Sequence, residues 1–418
     1  MASKANRQPA IKSDVVVVGI DVAKRRHVAA IRLPDGRIPR PFSFTNDRDG
    51  FGKLLARVAQ AAASAGCAGV RFGLEATGHY GHALQQFLLS QGAEVISVNP
   101  AHTRRVKELL DGSPEKSDPK DAALVAELVA QGRGRPLTMP QGAYAELRRL
   151  GKLREQLSGE RTRYLNRYHG LVDLVFPELA ALVHDVSCTS IRRLLEAYPT
   201  AVDVAAAPGE EVGQLLWRAS IGHLGGVRGQ QICEAAQRSV GVREGLSALR
   251  LQMRLTLSAI NALAAQLEAV EGAQSQALAG IPYAARLLTI PTFGPVTVAT
   301  VLGETGDLRQ YASAEAVIKL AGLNLYSLSS GKYQGRTRIT KRGRPLLRRA
   351  IFLAALRTSR GGQPLAAFHD RLRERLAGPQ VGVAGARKLL RLMYALARDD
   401  ADYAPGLLAR ARANEAAA

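Results

Sequence analysis

Val15-Val16-Val17-Val18-Gly19-Ile20-Asp21 is an apolar, β-branched run that ends abruptly on a carboxylate. Its composition predicts a buried strand. A carboxylate at the end of such a strand is costly to bury unless it is paired or holds a cation. A second run ends in the same way, Gly69-Val70-Arg71-Phe72-Gly73-Leu74-Glu75, and continues into Ala76-Thr77-Gly78. The third acidic setting, Ser117-Asp118-Pro119-Lys120-Asp121-Ala122, reads as the start of a helix. Residues three apart share a helix face, so Asp118 and Asp121 stand together there. Helix capping alone would explain that pair, because Ser-Asp-Pro suits a helix start. Taken with Asp21 and Glu75 at strand ends, the pair instead suggests a cation site facing a phosphodiester.

Outward from these residues the chain alternates strand and helix signals. Short strands are expected at 15–20, 28–31 and 42–44, with a turn at Pro34-Asp35-Gly36. A helix over 47–65, a strand over 69–74, a helix over 79–91 closing at Gly92 and a strand over 93–98 follow. Over residues 14–135 this is the βββαβαβα order of an RNase H-like domain, a mixed sheet flanked by helices. Strand ends in such a sheet converge on one edge. His79 and His82, expected three apart on one helix face, either flank the carboxylates or simply form a polar helix start. Lys24 is a phosphate contact or an ordinary exposed lysine.

Residues 141–279 read as helical. Val242, Leu246, Leu249, Met253, Thr256, Ile260, Leu263, Leu267 and Val270 alternate four and three apart, a heptad seam. Leu150, Leu157, Tyr164 and Leu171 recur every seven residues. The two stretches can pair within one chain or between chains. Residues 281–400 form a third segment. Leu288 to Ala299, with Pro291-Thr292-Phe293-Gly294-Pro295 inside it, resembles a helix-hairpin-helix, whose turn offers backbone N–H groups to phosphate. From Gly331 to Arg360 there are ten basic residues and no acidic one: Lys332, Arg336, Arg338, Lys341, Arg342, Arg344, Arg348, Arg349, Arg357 and Arg360. Interleaved with glycine and Tyr333, they read as a nucleic-acid backbone surface. The fold class is therefore α/β plus α: a sheet domain, a helical coiled-coil segment and a mostly helical C-terminal domain. The tail past Ala401 is expected to fray.

Bulk properties agree. Lys and Arg number 57 against 36 Asp and Glu in 418 residues, a formal charge of +21. That excess favours a polyanion, since basic side chains displace condensed counterions from phosphates. No apolar run is long enough to span a membrane, and Met1 to Ser13 is polar and basic, unlike a signal peptide. Cys67, Cys188 and Cys233 lie far apart without CxxC spacing, which suggests a reducing cytoplasm and no zinc site.

Two-metal phosphoryl transfer uses carboxylates around ions about 3.5–4 Å apart. Oxygen-only ligands favour Mg²⁺ or Mn²⁺. A second chemistry is nucleophilic: Ser327, Ser329 and Ser330 precede Gly331 at the mouth of the basic run. Ser-Ser-Gly is also an ordinary turn composition, and pattern alone does not make these serines catalytic.

Taken together, Gly19-Ile20-Asp21-Val22-Ala23-Lys24, Glu75-Ala76-Thr77-Gly78, Asn99-Pro100 and Lys116-Ser117-Asp118-Pro119-Lys120-Asp121-Ala122 resemble the RuvC-like DEDD domain of IS110-type transposases. That insertion-sequence group includes IS1111-like elements. Ile290-Pro291-Thr292-Phe293-Gly294-Pro295, Ala321-Gly322-Leu323-Asn324, Ser329-Ser330-Gly331-Lys332 and Ile339-Thr340-Lys341-Arg342-Gly343 resemble the C-terminal transposase domain of that family. The resemblance covers nearly the whole chain. It implies a recombinase that excises and integrates its own element, guided by an element-encoded noncoding RNA that pairs with donor and target DNA. It also implies Mg²⁺ held by Asp21, Glu75, Asp118 and Asp121, with Ser330 (or its neighbour Ser329) attacking the phosphate to give a phosphoserine link. A homodimer or homotetramer in a bacterial cytoplasm, associated with the nucleoid, is implied as well. Two other readings explain part of the sequence: a RuvC-like junction nuclease using metal-activated water, and a non-catalytic nucleic-acid-binding protein.

Overall fold

The computed structural model describes residues 14–75, 78–100, 103–106, 118–327, 329–330, 333–335, 337–363 and 365–405. Expectations that rest on 1–13, Ala76, Thr77, Lys116, Ser117, Gly331, Lys332, Arg336 and the tail past 405 lie outside the described residues. The chain divides into two compact units, Met1–Met139 and Pro140–Ala418.

The first unit is built on a six-stranded sheet, β1 (Val15–Asp21), β2 (Arg26–Arg32), β3 (Phe42–Thr45), β4 (Gly69–Glu75), β5 (Glu94–Val98) and β6 (Arg135–Pro136), in the order β3-β2-β1-β4-β5-β6. The β1-β2-β3 meander is antiparallel, β1-β4-β5 is parallel, and β6 adds an antiparallel edge. This is the RNase H-like arrangement expected. Side chains alternate across a strand, and both faces are covered. Val16, Val18, Ile20, Phe72 and Leu74 pack with α1 (Arg48–Ser64) and α2 (His82–Ser90), through Leu54, Val58, Leu84 and Leu88. On the other face Val17, Ile96 and Val98 meet Leu124, Val125 and Val129 of α3 (Asp118–Ala130).

Asp47 starts α1 by accepting the Gly50 N–H at 2.8 Å, an ordinary N-cap. Helix α2 starts at His82 rather than His79. Gly78 adopts φ +57°, and the His82 N–H donates to the His79 carbonyl in the turn that follows. His79 therefore lies outside the helix, its ring tilted against that of Tyr80, and shares no helical face with His82.

The second unit holds α4 (Gly142–Val175), α5 (Leu179–Leu182), α6 (Thr189–Ala197), α7 (Ala201–Ala206), α8 (Gly209–Ala219), α9 (Gly226–Gln237), α10 (Leu246–Ala279), α11 (Ala284–Leu288), α12 (Pro295–Thr305), α13 (Ala314–Ala321), α14 (Pro345–Thr358), α15 (Ala366–Arg373) and α16 (Gly378–Asp399). The two 34-residue helices α4 and α10 pair antiparallel. Leu147 near the start of α4 shares a core with Ala277 and Leu278 at the end of α10, and Tyr168 packs with Met253 and Leu257 at the opposite end. Arg154 bridges to Glu271 at 2.7 Å between them. The seam residues Met253, Thr256, Ile260, Leu263, Leu267 and Val270 are buried inside the chain. Val242 lies ahead of the helix, which begins only after Gly245 at φ +72°. Helices α11 and α12 flank the expected turn at 289–294, and α12 is buried throughout from Thr297 to Thr305. One hydrophobic core runs from Leu147 to Ala397, so the 141–279 and 281–400 segments share it. Among the described residues no helix is long and apolar enough to cross a membrane.

Candidate active site at the sheet edge

Strand parity places the first two carboxylates. On β1, Val17 faces α3, and Gly19 does too: a Cβ there would sit 2.1 Å from the Ala122 carbonyl oxygen and 2.3 Å from the Ala126 nitrogen. Two residues on, Asp21 stands on that same face. On β4, a Cβ at Gly73 would lie 2.5 Å from Val129 Cγ2, so Glu75 has the α3 face as well. The parallel register Gly19↔Gly73 and Ile20↔Leu74 sets the two acids side by side at the strand ends.

Helix α3 delivers the other two. Glu127 pairs with Arg32 at 2.7 Å, and Arg32 is the register partner of Val17. Ala122 lies on Gly19. From Glu127 to Ala122 the helix therefore moves from the level of Val17 to that of Gly19, antiparallel to β1. One further turn advances about 5–6 Å, at roughly 1.5 Å per residue. Two strand residues advance about 6.6 Å. Asp118, about 6 Å beyond Ala122 in the first turn of α3, thus stands near the level of Asp21, and Asp121, beside Ala122, between the levels of Gly19 and Asp21. All four acids reach one edge of the sheet on one face of it. Glycine at 19 and 73 permits this, because it lets α3 settle directly on the strands. The two Gly-x-acid triplets are a sequence signal that the strand pattern alone passes over.

The donors are carboxylate oxygens, the chemistry a hard divalent cation prefers. Among the described residues, no three His, Cys, Asp or Glu side chains are gathered closely enough to hold a metal ion by themselves. Lys24, Arg25 and Arg26, in and just past the loop after Asp21, are exposed, as are Arg104 and Arg105 after β5.

In the second unit Ser329 and Ser330 form a two-residue strand, β8, after β7 (Leu325–Tyr326); Ser330 pairs with Tyr333 and Ser329 with Gln334 of β9 (Tyr333–Gln334). Arg338 is exposed on β10 (Arg338–Ile339), and Lys341 and Arg342 are exposed in the loop that follows. That loop is seated on the end of α13, with the Lys341 N–H on the Gly322 carbonyl and the Arg344 N–H on the Leu320 carbonyl. Arg344 turns inward: it donates to the Glu304 carbonyl oxygen, and burial followed by the nearby Arg148 lowers its pKa from the usual arginine value. Arg348 donates to the Ala321 carbonyl at 3.0 Å and to the Lys341 carbonyl at 3.3 Å. Arg349 pairs with Glu155. Arg344 and Arg348 thus have partners inside the fold, and the exposed Arg349 holds a surface ion pair.

Residues 18–177 match the family model of the IS110 DEDD transposases, described as a transposase. Residues 284–370 match the one described as transposase, IS116/IS110/IS902 family. The chain belongs to the IS110 family of transposases. Family relatives span most of it. The uncharacterized 43.6 kDa protein of insertion element IS110 from Streptomyces coelicolor is 26% identical, covering 75% of this chain and 78% of that protein. The uncharacterized 44.8 kDa protein of IS116 from Streptomyces clavuligerus is 23% identical over 94% of this chain and 97% of its own length. The solved structure of Thermus thermophilus RuvC covers 29% of this chain and 99% of that chain at 16% identity, with a TM-score of 0.22. As a member of a transposase family the chain is a DNA-processing enzyme.

Proposed function

We propose that this IS110-family chain excises and integrates its own insertion sequence, with Asp21, Glu75, Asp118 and Asp121 holding Mg²⁺ or Mn²⁺ and Ser330 as nucleophile. The observation that supports this best is the common edge. Two strand-end acids on the α3 face and two acids in the first turn of α3 lie towards one edge of one sheet face. When bound there, a divalent cation would offset phosphodiester charge and favour displacement at phosphorus.

The Ser330 Oγ forms a bond to phosphorus as the bond to the leaving sugar oxygen breaks; the serine proton passes to solvent and the leaving oxygen takes one up to become a hydroxyl. The released sugar hydroxyl of the exchanged strand then attacks the same phosphorus and expels the serine. Lys24 and Arg25, and in the second unit Arg338, Lys341 and Arg342, contact phosphates rather than bases. Sequence choice falls to an element-encoded RNA paired with donor and target DNA, as in other guided systems. The working form is a homodimer or homotetramer in the bacterial cytoplasm, near the nucleoid.

The test is a denaturation-resistant protein–DNA adduct from purified protein, element-flanking RNA, Mg²⁺ and donor DNA. We expect it in the wild type and in Ser329→Ala, and not in Ser330→Ala or Asp21→Asn. Metal-dependent cleavage without an adduct, indifferent to both serine changes, would sink the nucleophile and leave a RuvC-like nuclease.

A further inference from the structure

The backbone ladder does not join the two strand-end carboxylates to each other. The β1–β4 register ends at Ile20↔Leu74. Asp21 is still paired outward with Val28 of β2, and Glu75 outward with Val98 of β5. Two like charges thus stand where the sheet opens, each held from its outer side.

Asn46, between β3 and α1, bridges that opening. Its side-chain Nδ2 donates to the Lys24 carbonyl at 3.3 Å and to the Tyr80 carbonyl at 3.4 Å. Lys24 lies in the loop that leaves Asp21, and Tyr80 in the segment that follows Glu75. The Asn46 backbone N–H donates to the Arg25 carbonyl at 3.0 Å, so the residue is anchored on the first loop by two bonds. The two segments also touch directly: a Cβ on Gly81 would lie 3.1 Å from Val22 Cγ1. Buried His27 holds the first loop from below, its Nδ1 accepting the Ala23 N–H at 3.1 Å and its ring packed on Phe44 and Phe51.

We propose that Asn46 is a positioning residue for the acidic edge: by tying the loop after Asp21 to the segment after Glu75, it fixes the gap at which the two carboxylates meet a shared divalent cation. This rests on the reading of those carboxylates as cation ligands. An amide is suited to the task, because one NH₂ group carries two donors for two carbonyls. Aspartate at this position keeps the size and removes both donors.

The experiment titrates Mn²⁺ into full-length protein, following free Mn²⁺ by electron paramagnetic resonance, for wild type, Asn46→Ala, Asn46→Asp and Asp21→Asn. Hydrogen exchange of the 22–25 and 78–81 amides is followed in parallel. The expected result is binding that Asp21→Asn abolishes and both Asn46 changes weaken about tenfold or more, the usual cost of losing an outer partner at a metal site. Both segments should then exchange faster together while the rest of the sheet stays protected. Binding that depends on Asp21 but is the same in the Asn46 variants overturns the positioning role alone. Faster exchange across the whole sheet in both variants assigns Asn46 to fold stability and also overturns it. Wild-type protein with no Asp21-dependent Mn²⁺ binding overturns the carboxylate reading, and this inference with it.

Discussion

Gly19 and Gly73 occupy equivalent rows on neighbouring strands, yet they face different obstacles. A side chain at 19 would meet backbone, the Ala122 oxygen and the Ala126 nitrogen, whereas one at 73 would meet the end of Val129. Backbone in a helix cannot give way locally, but a valine can change rotamer. Gly19→Ala is therefore expected to cost more than the ~1–3 kcal/mol typical of overpacking, and Gly73→Ala to fall within that range. Urea unfolding of the two variants checks the order; an equal or reversed cost would contradict the seating of α3. A second residue makes stability depend on pH. His369 is buried, its Nε2 has no partner among the described residues, and the Gly385 backbone closes over it. Burial, followed by Arg373, lowers its pKa, so the folded state keeps it neutral while the unfolded chain protonates near pH 6.5. The unfolded state then binds more protons below that value. The contribution is complete above about pH 6.5 and is lost as pH falls towards the lower folded pKa. Thermal unfolding between pH 7 and pH 5 should show the decline, and His369→Gln should flatten it.

The elements are unequally legible in the sequence. Val15 to Ile20 announces its strand as a β-branched run, and Gly69 to Leu74 by the alternation of Val70, Phe72 and Leu74 with other residues, each closed by an acid. The acidic edge follows from them, though the reason it assembles lies in the glycines two residues earlier. The start of α2 departs from the expected position because a turn after the left-handed Gly78 delays the helix to its N-cap, Gly81. Heptad spacing does not separate pairing within the chain from pairing between chains, since both bury the same positions. The structure takes up the seam internally, and that pairing contains a flaw. Gln274 on α10 is completely buried, and neither its Oε1 nor its Nε2 has a partner among the described residues. An unsatisfied buried amide costs about 1–3 kcal/mol. Gln274→Met, similar in length and apolar, is expected to raise the chemical unfolding midpoint of the second unit. A fall would show that the amide holds an interaction worth more than its burial.

Over the whole molecule the +21 charge overstates the surface that can meet DNA. Within the basic run, Arg344 is turned onto Glu304, Arg348 onto the end of α13 and Arg349 onto Glu155. The same sequence stretch thus serves two purposes. The guanidiniums of Arg344 and Arg348 close the fold, and Arg338, Lys341, Arg342 and Arg349 are exposed. Composition alone cannot sort them, because an arginine that caps a helix and one that meets a phosphate are written alike. Salt dependence can. Removing one basic group that neutralises a phosphate flattens the plot of log affinity against log salt by about 0.9. Lys341→Gln combined with Arg342→Gln should therefore reduce the DNA-binding slope by about 2 and leave the unfolding midpoint unchanged. Arg348→Gln should do the reverse: it frees the Ala321 and Lys341 carbonyls, lowers stability by about 1–3 kcal/mol and moves the slope little. Binding measured over a range of salt concentrations beside unfolding for each variant decides the assignment. A steep drop in slope for Arg348→Gln at unchanged stability would move that residue to the DNA face and return the basic run to a single function.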